Sequence, residues 1–140
     1  MTKWLLLLTL GFNAALAIAG DTLTLEQGWV REGPPGSEVL AGFVTIHNPT
    51  DETMVIQGVD SPDFEQVEMH RSLMDNGMAR MVKQSALTVP AHGSLELKPG
   101  GYHLMLIRPR RVLQAGDEVS LMFHTSEGTC LHYGFPVRKP

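Results

Sequence analysis

The sequence predicts an all-β domain of the sandwich or barrel kind. Three observations carry this. Short segments alternate apolar and polar residues or are rich in β-branched ones. Turn-forming residues separate them at regular intervals. No stretch shows a sustained helical period with capping residues at its ends.

Taken in order, the expected strands begin with Leu23 to Arg31, which stops at Gly33-Pro34-Pro35-Gly36. Val39 to His47 follows and ends at Asn48-Pro49. Met54 to Val59 ends before Ser61-Pro62, and Phe64 to His70 follows. Asn76-Gly77 allows a tight reversal into Met78 to Lys83. Ser94 to Leu97 is short and runs into Pro99-Gly100-Gly101, a turn that leads into Tyr102 to Ile107. Ala115-Gly116-Asp117 precedes Glu118 to His124, and Glu127-Gly128 precedes Cys130 to Val137. Internal repeats, linkers and low-complexity segments are absent from the sequence.

Residues 1 to 19 read as a secretory signal peptide rather than as part of the fold. Lys3 supplies a positive start, Trp4 to Leu10 an apolar run, and Ala17-Ile18-Ala19 the small residues that a signal peptidase reads. The run is broken by Gly11 and Asn13 and is short for a membrane span. Cleavage after Ala19 leaves residues 20 to 140 as one domain, long enough for one core. A periplasmic location follows, with no membrane insertion after cleavage.

The full chain carries a net charge of −4. That balance argues against nucleic acid and anionic membrane surfaces as partners, because both require clustered positive charge. The basic run Arg108, Arg110 and Arg111 is interrupted by Pro109 and reads as a solvated loop. Cys130 is the sole cysteine, so no intramolecular disulfide forms; it is expected to be a small core residue of a late strand.

The chemistry is concentrated in four side chains: His70, Met81, His103 and Met105. They read His, ten residues, Met, twenty-one residues, His, one residue, Met. Two thioethers and two imidazoles suit a soft ion such as Cu(I) and suit zinc, calcium or magnesium poorly. A thioether also fits an oxidising compartment, where paired thiolates become a disulfide. Strand periodicity places His103 and Met105 on one face, with Tyr102, Leu104 and Leu106 on the other. By the same rule Glu68 and His70 face away from Val67 and Met69, so Met69 is expected in the core. Met81 shares a face with Lys83 and is expected outward. Met74 and Met78 flank the turn and read as rim residues.

The four intervals, together with Lys98-Pro99-Gly100-Gly101-Tyr102-His103-Leu104-Met105-Leu106, resemble the periplasmic copper chaperone family known as PCuAC. The resemblance runs from about Trp29 to about Val119. One departure is Arg71, where family members often carry a Met directly after the first His; here Met69 precedes it. The resemblance implies a cupredoxin-like Greek-key β-sandwich. It also implies a copper ion held by His70, Met81, His103 and Met105. The implied function is delivery to a copper-accepting protein, either the copper subunit of cytochrome oxidase with its dinuclear centre or another copper carrier. Cu(I) is the expected ion, and Cu(II) is left open.

Three other readings carry less. A blue-copper electron-transfer site would need a thiolate, two His and an axial Met. Cys130 and His132 offer tight spacing, but no Met follows Cys130. A metal-free sandwich used for adhesion or assembly leaves the four intervals unexplained. Catalysis finds no nucleophile elbow, zinc helix motif or phosphate loop in the sequence, so the protein is not expected to be an enzyme.

Overall fold

A computed structural model describes residues 22–140. The proposed signal peptide, residues 1 to 19, lies outside the described residues. Within them the chain forms ten strands and no helix. They are β1 (Thr24–Arg31), β2 (Val39–His47), β3 (Met54–Asp60), β4 (Phe64–Asp75), β5 (Met78–Gln84), β6 (Leu87–Val89), β7 (Ser94–Leu97), β8 (Tyr102–Pro109), β9 (Glu118–Thr125) and β10 (Cys130–Arg138).

All nine expected segments are strands. The tenth, β6, is a three-residue strand, too short to show a period. It is fixed by its pairing with β3, where Met54 lies opposite Val89. β4 runs five residues beyond the expected end at His70. The reason is the hairpin: Asn76 and Gly77 adopt φ of 49° and 78°, the left-handed pair of a tight reversal. The ladder therefore continues without a break from Met69 opposite Gln84 to Asp75 opposite Met78.

The strands are hydrogen-bonded in the order β5-β4-β8-β7-β2-β1-β10-β9-β3-β6, with β8 also paired to β2. β1 and β10 run parallel at Val30–Val137 and join two halves. One half contributes Val30, Val44, Ile46, Leu104 and Leu106 to the core. The other contributes Ile56, Val89, Leu121, Phe123 and Phe135. These are alternate positions along their strands, so the halves share one apolar interior as the layers of a sandwich do. Each such large side chain contributes roughly 1.5–3 kcal/mol by leaving water.

Two details show how tightly the interior is specified. A Cβ at Gly28 would lie 2.9 Å from the Phe135 ring, so only glycine lets the ring seat there. Buried Asn48 donates to the carbonyls of Val89 (3.0 Å) and Glu52 (2.7 Å), and its Oδ1 accepts from the Thr50 backbone and hydroxyl. It ties the loop after β2 to the end of β6.

Cys130 corrects one expectation. It is exposed rather than buried. Leu131 is the residue that packs against the core, so strand alternation turns Cys130 and His132 outward. The arginine run is exposed as expected, but Arg108 belongs to β8 rather than to a loop. Arg108 pairs with Glu65, and Arg111 with Asp63.

Candidate metal centre

Strand alternation builds the site on the outer face of β5, β4 and β8. Leu104 and Leu106 are fully buried, which directs His103 and Met105 to the other side of β8. Met69 is buried as expected, which directs Glu68 and His70 outward on β4. In the β4–β8 ladder His70 lies opposite His103, and Glu68 lies opposite Met105. In the β4–β5 ladder Ser72 lies opposite Met81, and His70 lies opposite Lys83.

Directly opposed residues share a face. His70, Met81, His103 and Met105 therefore all point to one side of the same three strands. The two imidazoles form the central row, with ring centroids 5.9 Å apart. Met105 stands one row to one side and Met81 one row to the other. Met81 is on β5, two strands from β8, so its long side chain must reach inward over His70 to join the set.

Exposure is graded across the group. His103 is 6% exposed, and His70 and Met105 are partly buried. Met81 is 59% exposed. The site is thus covered on the β8 side and open on the β5 side, rather than exposed throughout. Met74 and Met78 are also exposed, at the hairpin tip where rim residues were expected.

The hydrogen bonds of the imidazoles fix which nitrogen is available. His103 Nδ1 lies 3.1 Å from the Gly101 carbonyl, an acceptor only. Nδ1 therefore carries the proton, and Nε2 presents a lone pair. His70 Nε2 lies 2.8 Å from Glu68 Oε2. The ring donates there, and its Nδ1 presents the lone pair. Both free nitrogens are buried and have no hydrogen-bond partner; among the described residues the only other such side-chain atoms are Thr22 Oγ1 and Arg31 Nε. Facing imidazoles with orphaned lone pairs are what a shared metal ion would satisfy.

Glu68 was placed on this face by periodicity, but its role is visible only in three dimensions. Its second oxygen accepts from Lys83 Nζ at 3.0 Å. The hydrogen bond from His70 and then that from Lys83 hold its carboxyl below the ordinary carboxylate range. A carboxylate behind a metal-facing imidazole orients the ring and raises its basicity. The Gly101 carbonyl orients the His103 ring in the same way and is supplied by the expected turn before β8. Among the described residues no three His, Cys, Asp or Glu side chains are grouped to hold a metal. The candidate donors on this face, two imidazoles and two thioethers, are neutral instead.

Known proteins agree with this architecture. The copper-bound PCuAC domain from PmoF2 superposes with a TM-score of 0.71 at 19% identity, over 84% of this chain and 93% of that domain. That likeness establishes the fold as a cupredoxin-like β-sandwich. The Cu(I)-loaded DR1885 of Deinococcus radiodurans gives a TM-score of 0.70 at 28% identity, over 89% of this chain and 83% of that one. A relative by sequence is the "Putative lipoprotein Lxx21020" of Leifsonia xyli subsp. xyli, 29% identical over 84% of this chain and 70% of its own length. The family model described as "Putative lipoprotein LpqE-like" matches residues 23–137, from just before β1 almost to the end of β10. With nearly every described strand inside that match, the chain belongs to the LpqE-like family.

Proposed function

We propose that this protein is a periplasmic copper chaperone. It binds Cu(I) through His70 Nδ1, His103 Nε2 and the thioethers of Met81 and Met105, and passes the ion to a copper-accepting protein. The observation that carries this reading is the pair of facing imidazoles, each with one nitrogen hydrogen-bonded and the other buried and unpartnered. The Cu(I)-loaded relative of the same fold supports the choice of ion.

The donor set explains transfer. Thioethers have no proton to lose, so acid competes only for the imidazoles, which must be neutral to bind the ion. Neutral donors leave the charge of Cu(I) uncompensated within the ligand set, which limits how tightly the ion is held. The graded exposure gives a direction. His103 and Met105 form the covered base, and Met81 is the ligand that a partner's donor can displace first. The acceptor we assign is the dinuclear copper centre of cytochrome c oxidase or a second copper carrier. Export through cleavage after Ala19 completes the proposal and is checked by the N-terminal mass of the secreted protein.

The binding test is a Cu(I) titration against a chelator of known affinity. Wild-type protein is expected to take up the ion at this site, and His103→Ala with Met105→Ala to lose it. Unchanged competition in the double variant contradicts the assignment.

A further inference from the structure

A second group of soft donors lies on the opposite layer, far from the first in the strand order. Cys130 and His132 both point outward from β10, and Cys130 Sγ is 3.7 Å from His132 Nε2. On the neighbouring β9, Met122 lies opposite His132, and His124 lies opposite Cys130. His124 is already engaged with Asp60 on β3, at 2.7 Å. The face therefore presents a thiol and an imidazole in contact, with a thioether directly across the ladder.

The separation matches that of two ligands on one ion. A closed-shell metal sits about 2.3 Å from a thiolate sulfur and about 2.0–2.1 Å from an imidazole nitrogen. At angles of about 110–120° those bonds put S and N roughly 3.5–3.8 Å apart. Zinc would require further hard or thiolate ligands, and no third His, Cys, Asp or Glu is grouped with this pair among the described residues. Cu(I) is satisfied by two or three soft donors, and Met122 supplies a candidate third.

We propose that Cys130 and His132, assisted by Met122, form a second Cu(I) site on the outer face of β9 and β10. On binding, the sulfur–copper bond forms and the thiol proton leaves to solvent; no electron is transferred. The site stands apart from the His70–His103 centre and does not depend on it. It is more exposed, so it offers a place where incoming copper is first captured.

The test is an anaerobic titration of the reduced protein with Cu(I) held by bicinchoninate, read together with the alkylation rate of Cys130 by iodoacetamide. Wild type is expected to take two ions and Cys130→Ser one. His103→Ala with Met105→Ala is expected to keep the ion at Cys130, so failure of one site is distinguished from failure of the other. His132→Ala leaves the thiol in place. It is expected to weaken the second ion by at least about tenfold, the loss seen even for outer partners of a metal. Cu(I) should protect Cys130 from alkylation in wild type and much less in His132→Ala. Unchanged stoichiometry in Cys130→Ser, or equal protection in wild type and His132→Ala, would overturn the proposal. So would equal protection by zinc. Thermal melting of each variant reports whether it is folded.

Discussion

Replacing Glu68 probes the centre without touching a proposed ligand. Its carboxylate accepts the His70 Nε2 proton at 2.8 Å and so leaves Nδ1 with the free lone pair. Glu68→Ala removes the acceptor, and the ring is then free to turn or to exchange its proton between nitrogens. Loss of such a partner typically weakens metal binding 10–100-fold, about 1.4–2.7 kcal/mol. Glu68→Gln keeps an acceptor oxygen without the charge and is expected to fall between. Chelator competition at neutral pH reads both. The metal-free protein supplies a second readout. Because His70 and then Lys83 hold the Glu68 carboxyl below its ordinary 4.5, the charged form is favoured by folding. Its contribution to stability is therefore complete above about 4.5 and is lost as pH falls through the lowered folded value. The difference in melting temperature between wild type and Glu68→Gln should be largest at neutral pH and shrink in acid. Copper affinity within about twofold of wild type in Glu68→Ala would refute the orienting role.

Three further predictions follow from the geometry. Met81→Ala is expected to raise the rate of copper loss to a chelator more than Met105→Ala does, because Met81 is the open side of the site; stopped-flow release measures this. Gly28→Ala must displace the Phe135 ring and is expected to cost about 1–3 kcal/mol by urea unfolding, with little change in copper affinity. Asn48→Ala strands the Val89 and Glu52 carbonyls and should destabilise by about 1–3 kcal/mol, again leaving the metal face unchanged.

Most of the fold was legible because its strands alternate cleanly and its turns are built from Gly, Pro and Asn. The segments β2 and β7 match their expected limits, and Asn76-Gly77 marked the hairpin that presents Met81. β6 was not legible, since Leu87-Thr88-Val89 is too short to show alternation and is set by its partner strand. Cys130 was misplaced because an apolar neighbourhood does not say which alternate position faces in; Leu131 takes the interior. Spacing and alternation placed the four candidate ligands on one face, and the β4–β8 ladder sets His70 opposite His103 with ring centroids 5.9 Å apart and planes tilted by 36°. What spacing could not give was the protonation pattern. The Gly101 carbonyl and the Glu68 carboxylate decide which nitrogen of each ring is free, and both act through three-dimensional contacts.

The central claim is a two-sulfur, two-nitrogen copper centre on β4, β5 and β8. The most direct measurement is copper-edge X-ray absorption of Cys130→Ser loaded with one equivalent of Cu(I), which removes the other thiol-bearing site from the signal. The account predicts two thioether sulfurs and two imidazole nitrogens around the ion. A shell without imidazole nitrogen, or one unchanged by His70→Ala and His103→Ala, would contradict it.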